Sequence, residues 1–372
     1  MSRAFITKVI PPGMDGALSA LAALKGLINV GQSVALIANE AEESFLEAQK
    51  PLFSDEPSLI LLTGGSSVSR KAVEIPVSRL IQSAKASESV TGTNLLWVTA
   101  LSPTSIAGAN TMVRSILNGY EPVIWPFLGG VESFSAERFI PTLESALSEA
   151  KKQQSSVAVS LVPTQVHRLL ESKDALQLLS QFDAVLVGGA KLNSSQRTVL
   201  QENSVRVIET YGATETTGGC VYDGIPLAGV NIVIEHGTVH IFGKTNALCY
   251  RDGTPLAKWN SQDLGDISDG ILQIHGRSDN VVKVAGIQVN IEEFSALLQT
   301  LYPDTSIAVT PIEDDEYGYR IIIFATRELP NLEKDLQSLL PSHRLPIRLR
   351  VLEELPLLRN GKVDIQTLKN SM

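Results

Sequence analysis

Four short segments of this chain gather glycines, hydroxyls, carboxylates and single cations at the ends of apolar runs, a combination that suits phosphate and hard cations. The first is Thr63-Gly64-Gly65-Ser66-Ser67-Val68-Ser69-Arg70-Lys71, directly after the run SLILLT. Backbone N–H groups, hydroxyl donors and a lysine can there be presented to a polyphosphate. The G-x-x-x-x-G-K-[ST] spacing of a P-loop is absent, so an ordinary polar turn is the competing reading. The second is Val207-Ile208-Glu209-Thr210-Tyr211-Gly212-Ala213-Thr214-Glu215-Thr216-Thr217-Gly218-Gly219-Cys220, a short strand running into a loop. Glu215 is able to hold Mg²⁺ while the neighbouring Thr214 hydroxyl bonds a phosphate oxygen, and Tyr211 is able to stack on a base; standing alone, the segment reads equally as a turn with a solvated Glu. The third is Asp263-Leu264-Gly265-Asp266, followed by Gly276-Arg277-Ser278-Asp279 and Lys283. A carboxylate accepts both O–H bonds of a ribose diol, and an arginine opposite it reaches a ribose oxygen or a phosphate, though each is ordinarily a surface ion-pair member. The fourth is Leu357-Leu358-Arg359-Asn360-Gly361-Lys362-Val363-Asp364, where Gly361 permits a tight turn with Lys362 at its tip.

Positioning these segments requires rigid elements. Short apolar, β-branched runs alternate with helix-length stretches: VALIA at 34–38, SLILLT at 58–63, LLWVTAL at 95–101, VAVSLV at 157–162 and AVLVGG at 184–189. Continuous apolar strands separated by helices predict an α/β class with mostly parallel sheet covered on both faces. From about Cys220 the texture turns to close-set strands with glycine turns, predicting a β-rich subdomain over about 220–276. The rest mixes short strands (SIAVTP, YRIIIFA, LRVLEEL) with amphipathic helices at 291–301 and 331–340, predicting a small α+β domain over 277–372 after a large domain over 1–276. The Ser/Thr-rich stretch 83–94 reads as a surface helix end and loop.

The composition narrows the function classes. With 31 Lys+Arg against 40 Asp+Glu the net charge is −9, and 44% of the 372 residues are hydrophobic. That balance removes the electrostatic basis for non-specific nucleic-acid binding and offers no basic face to anionic lipid. The longest apolar runs are far shorter than the roughly 18 residues a membrane span needs. Two cysteines make no disulfide framework, and the Lys8 and Pro-Pro start is unlike a signal peptide, so a reduced cytoplasmic protein is expected.

Separately the motifs are weak; their order is specific. A hydroxyl-rich loop with Lys71, GGA at 188–190, YGATE at 211–215, DLGD at 263–266, GRSDNVVKVAG at 276–286 and LRNGK at 358–362 resembles the adenylate-forming acyl-CoA synthetase superfamily over essentially the whole chain. Within it, TALSPTSIAGANTMVRSILNGYEPV, SLVPTQVHRLL, VLVGGAKL and YGATETTGGCVYDGIPLAGV resemble the o-succinylbenzoate–CoA ligase branch of menaquinone synthesis in its short actinobacterial form. The resemblance implies ATP, Mg²⁺ and coenzyme A as reactants and a small-molecule acid as substrate, with no nucleic-acid or membrane partner and a homodimer as the candidate assembly. It further implies that Lys362 bridges the carboxylate and the α-phosphate, Glu215 holds Mg²⁺ and Thr214 touches the α-phosphate. Thr63, Ser66, Ser67 and Lys71 would hold the β- and γ-phosphates. Gly188, Gly189, Ala190, Tyr211 and Gly212 would flank the adenosine. Asp263 would bond the ribose, Arg277 the ribose or phosphate, and Asp279 would be the hinge of a mobile C-terminal cap.

Three departures stand out: Val68 and Ala72 where the family usually has glycine, with Arg70 in place of its usual proline; Ser105 in place of a histidine in the acyl-pocket motif; and Ala285-Gly286 where a Gly-Gly pair is common. Arg114, on the helix that follows the SIAG turn, suits the second carboxylate of o-succinylbenzoate, with a surface arginine as the alternative. Cys220, His236, His240 and Cys249 lack ligand-pair spacing for zinc, His167 and His275 are read as packing or polar-face residues, and Glu313–Glu316 as a solvated loop. The competing functional readings are a ligase for another aryl or acyl acid, including one serving a carrier-protein thiol, and a non-catalytic nucleotide-binding relic.

Overall fold

A computed structural model describes residues 5–47, 53–63, 71–278, 281–284, 287–339, 345–358 and 363–372. The chain divides into two compact units: Met1–Val233 with His240–Trp259 and Asp269–Leu272, and Ile234–Val239 with Asn260–Ser268 and Gln273–Met372.

The first unit contains two sheets. In one, Ile6–Val9, Val34–Ile37 and Ser58–Leu62 run parallel, then Ala72–Pro76 and the two-residue strand Cys249–Tyr250 continue antiparallel. The other has seven strands in the order Ile225–Pro226, Gly218–Tyr222, Val207–Ala213, Ala184–Gly188, Ser156–Leu161, Leu95–Thr99, Val123–Ile124. Its five strands from Val207–Ala213 to Val123–Ile124 are parallel, and its other two are antiparallel. The apolar runs read from the sequence are these strands, and Val34–Ile37 and Leu95–Thr99 are buried at every position. Burial on both faces is what a run without polar alternation requires.

Helices cover the sheets with their apolar stripes. In Ala136–Gln153, Phe139, Leu143, Ala146 and Ala150 recur at helical spacing and are buried, and Ser135 caps the start by accepting from Arg138 N at 3.3 Å. Phe139 and Phe134 join Trp125 in an aromatic cluster with centroids 4.9–6.0 Å apart. The helix Val77–Thr91 departs from the sequence expectation for 83–94: Ser83, Ser87 and Thr91 are buried, with hydroxyls bonded to backbone carbonyls, Ser83 reaching Thr217 O at 3.2 Å. A short hydroxyl can turn inward when a carbonyl is within reach, and hydropathy does not reveal that.

In the second unit, Ile307–Asp314, Gly318–Ala325 and Ile347–Val351 form a three-stranded sheet. Period-two alternation gives it two apolar faces: Ile307, Val309, Ile321 and Ile323 pack with Phe294 and Leu298 of the helix Ile291–Leu301, whereas Ala308, Ile322 and Phe324 pack with Leu368. Asn290 caps that helix by accepting from Glu292 N and Glu293 N, and two glutamates occupy its first turn. A two-stranded sheet, Val281–Val284 with Ile287–Asn290, precedes it. Val230–Glu235, Thr238–Gly243, Lys258–Ser268 and Ile271–Arg277 form a four-stranded sheet. Among the described residues no helix is long and apolar enough to cross a membrane.

Candidate nucleotide and acyl site

Parallel strands deliver their carboxyl ends to the same edge of a sheet, and loops there are the usual ligand-binding loops of α/β folds. The seven-stranded sheet does this for three groups of candidate residues. Leu95–Thr99 leads to Ser105, Ala184–Gly188 to Gly189 and Ala190, and Val207–Ala213 to Thr214 and Glu215.

The 188–190 turn depends on a close approach. Gly188 lies opposite Thr210, and a Cβ built at Gly188 would stand 2.5 Å from Thr210 Oγ1. Gly212 faces the neighbouring strand just as closely, a Cβ there meeting Gly218 O at 2.2 Å. Behind the turn, Glu209 acts as a clamp that the sequence did not reveal. Its carboxylate accepts from Leu192 N at 3.3 Å and from Arg197 Nε at 2.9 Å, while its backbone N–H donates to Asp223 Oδ1 at 3.0 Å. Arg197 also reaches Asp223 at 3.3 Å. Charge-assisted bonds thus tie the segment after Ala190 to the strand carrying Tyr211 and Gly212.

After Ala213 the chain makes a single tight turn. Thr216 Oγ1 accepts from Ala213 N at 2.9 Å and bonds Gly218 O at 2.8 Å, so its hydroxyl closes the turn that projects Thr214 and Glu215. Thr217 follows with a positive φ of 57°, and its carbonyl accepts from Asn110 Nδ2 at 2.8 Å, joining the turn to the helix Ile106–Leu117. Glu215 is 9% exposed, and Tyr250 O–H donates to its Oε1 at 3.0 Å. Lys71 Nζ lies 4.4 Å from the centroid of the same Tyr250 ring. Lys71 and Thr63 are bonded to each other at the base of the hydroxyl-rich loop, Thr63 N to Lys71 O at 2.8 Å and Lys71 N to Thr63 Oγ1 at 3.1 Å. Lys71 and Glu215, 144 positions apart in the sequence, therefore meet on one phenol.

A fully buried ion pair supports this arrangement. Arg251, adjacent to Tyr250, pairs with Glu74, and both side chains are shielded completely from solvent. The Glu74 carboxylate also accepts from Ser54 N at 2.7 Å and Phe53 N at 3.1 Å, and the guanidinium lies over Phe53 at 5.3 Å. Neither residue belongs to a recognisable motif.

Beyond the strand Leu95–Thr99, Ser105 is the cap of the helix Ile106–Leu117. Its Oγ accepts from Gly108 N at 3.3 Å and donates to Ser102 O at 2.7 Å, so this hydroxyl serves the backbone. Arg114 is no surface residue. It is 5% exposed, stacks at 4.9 Å on the Trp97 ring and donates to the Tyr222 hydroxyl at 3.2 Å. Its Nε has no hydrogen-bond partner, and no carboxylate pairs with it among the described residues.

In the second unit Asp263 and Arg277 meet each other, Arg277 Nη1 standing 3.5 Å from Asp263 Oδ1. Asp263 N donates to Ser261 Oγ at 3.0 Å. Ser66, Ser67, Asp279 and Lys362 lie outside the described residues, as do Val68, Arg70 and Ala285-Gly286. Cys220 and Cys249 are both buried, and burial pushes their thiols up to about 12 and about 11.

A magnesium ion suits the donor chemistry around Glu215. The groups there are the Glu215 carboxylate and the Tyr250 hydroxyl bonded to it, and among the described residues no cluster of three His, Cys, Asp or Glu is present. Mg²⁺ is commonly held by one or two carboxylates with phosphate oxygens and water completing its shell, so a single glutamate is enough protein.

A family model described as "AMP-binding enzyme" matches residues 15–243. A Mycobacterium tuberculosis (strain H37Rv) protein described as "Probable 2-succinylbenzoate--CoA ligase" is 30% identical over 375 residues, covering 95% of each chain. The Escherichia coli (strain K12) 2-succinylbenzoate–CoA ligase is 28% identical over 229 residues, covering 56% of this chain and 49% of its own. Among solved structures, the o-succinylbenzoate coenzyme A synthetase of Bacillus subtilis in complex with ATP and magnesium ion superposes with a TM-score of 0.77 at 16% identity, covering 99% of this chain and 90% of that one. At that identity the likeness concerns the fold.

Proposed function

This chain belongs to the AMP-binding enzyme family and is an AMP-forming enzyme of the acyl-CoA synthetase kind, and from that premise we propose that its acid is o-succinylbenzoate and its product o-succinylbenzoyl-CoA. The observation that carries the substrate is Arg114. A buried guanidinium that meets only a phenol and an indole ring, with its Nε unbonded, is costly, and a ligand carboxylate beside it would offset that cost. o-Succinylbenzoate has two carboxylates, one to react and one to be held. The name of the 30%-identical mycobacterial relative supports the same acid.

In the first half-reaction a carboxylate oxygen of the acid bonds the α-phosphorus of ATP and the bond to pyrophosphate breaks. The nucleophile is already anionic, so the protein supplies charge neutralisation and alignment rather than a base. Lys71 with Thr63, Ser66 and Ser67 holds the β- and γ-phosphates; Thr214 touches the α-phosphate; Gly188–Ala190, Tyr211 and Gly212 flank the adenosine. Asp263 takes the ribose and Arg277 the ribose or phosphate. Bound at Glu215, Mg²⁺ would supply positive charge to the phosphate oxygens. Lys362 meets the reacting carboxylate and the α-phosphate. In the second half-reaction the coenzyme A sulfur bonds the acyl carbon, the bond to AMP breaks, and the thiol proton leaves to solvent. The C-terminal cap, 277–372, turns about Asp279 between the two, withdrawing Lys362.

The test is pyrophosphate release with a panel of aryl and acyl acids, with and without coenzyme A, repeated on Lys362→Ala. This reading expects release dependent on o-succinylbenzoate and lost in the variant. Preference for another acid would overturn the substrate, and undiminished adenylation by Lys362→Ala would overturn the role of that lysine.

A further inference from the structure

No motif in the sequence marks Tyr250, yet it stands between the lysine of the phosphate loop and the carboxylate given to magnesium. Strand pairing puts it there. Cys249–Tyr250 runs antiparallel to Ala72–Pro76 with Tyr250 opposite Val73, so the ring lies beside the residue that ends the loop. Register is pinned on both sides, since Arg251 N donates to Ala72 O at 2.8 Å, Leu248 N donates to Glu74 O at 3.0 Å, and Arg251 and Glu74 form the buried pair. The phenol thus touches two charges with two different parts. Its face receives Lys71 Nζ at 4.4 Å and its hydroxyl donates to Glu215 Oε1 at 3.0 Å.

Resting on the Mg²⁺-ATP adenylation reading above, we infer that Tyr250 is a positioning residue that sets the magnesium-binding carboxylate and the phosphate-binding lysine in fixed register. A ring face holds an ammonium group without cancelling its charge, as a carboxylate would. One O–H bond orients a carboxylate while leaving its negative charge intact for a cation.

Two substitutions separate the contacts: Tyr250→Phe keeps the ring under Lys71 and deletes the O–H, whereas Tyr250→Leu deletes both. ATP binding to the intact protein is measured by calorimetry across a range of Mg²⁺ concentrations, with thermal melting as a check on folding. For Tyr250→Phe the Mg²⁺ concentration at half-maximal ATP binding rises about tenfold, as for loss of a hydrogen bond to a charged group, while ATP affinity without Mg²⁺ stays within roughly twofold. Tyr250→Leu weakens ATP binding with and without Mg²⁺; if it does not fold, the Phe variant decides. In a Glu215→Gln background, Tyr250→Phe has no further effect on Mg²⁺ dependence. An unaltered Mg²⁺ requirement in Tyr250→Phe, an equal shift in both backgrounds, or ATP binding by the unmodified protein that ignores Mg²⁺ would each overturn the inference. Because the readout is binding, it stays decisive even if no acid is adenylated, an outcome that would overturn the functional reading alone.

Discussion

Gly188→Ala isolates the strand contact on which the proposed adenine turn depends. The new methyl would stand 2.5 Å from Thr210 Oγ1 and 3.3 Å from Thr210 O, whereas real Cβ contacts essentially never fall under 3.0 Å, so something must move by at least about 0.5 Å. Thr210 is β-branched and stiff at χ1, and its hydroxyl makes only a long bond, 3.4 Å, to Val187 O. Overpacking of this kind costs about 1–3 kcal/mol. If roughly half of that appears as displacement of the turn, the Michaelis constant for ATP rises about two- to twelvefold, at about 1.4 kcal/mol per decade. Thr210→Ala removes the obstructing oxygen and is nearly silent alone; combined with Gly188→Ala it restores most of both losses. Denaturant unfolding gives the stability and pyrophosphate release gives the constant for ATP. A Gly188→Ala protein unchanged in both, or a double variant no better than the single, would refute the reasoning.

Glu74→Ala or Arg251→Ala leaves one buried charge without its partner and is expected to lower unfolding free energy by about 3–5 kcal/mol; a loss under about 1 kcal/mol in denaturant unfolding would contradict the burial argument. Arg114→Ala is expected to raise the Michaelis constant for o-succinylbenzoate on the order of ten- to a hundredfold, as for a lost charge-assisted bond, with that for ATP unaltered. Equal effects on both substrates in steady-state kinetics would count against Arg114 as the carboxylate partner.

Strands that are apolar throughout, such as Leu95–Thr99 and Ala184–Gly188, were legible because burial on both faces leaves no polar alternation to mislead. The helix Ile291–Leu301 was legible from its apolar spacing, with Asn290 as its cap. The order of the motifs was legible as membership of the AMP-binding enzyme family, since their glycines and hydroxyls are local chemistry. What escaped was non-local. Tyr250 reaches Glu215 only through the pairing of a two-residue strand with Ala72–Pro76, and so short a strand has no periodicity to detect. The clamp made by Glu209 left no local signal, because the backbone N–H that Glu209 holds, that of Leu192, comes from the preceding strand's loop. The serines of Val77–Thr91 looked exposed because a hydroxyl's hydropathy says nothing of the carbonyl that will accept its proton.

The most direct measurement of the central claim is mass detection of the thioester in a mixture of o-succinylbenzoate, ATP, Mg²⁺ and coenzyme A with the unmodified protein. The account predicts o-succinylbenzoyl-CoA together with stoichiometric AMP and pyrophosphate. ATP bound without turnover, or a thioester formed only from a different acid, would contradict it.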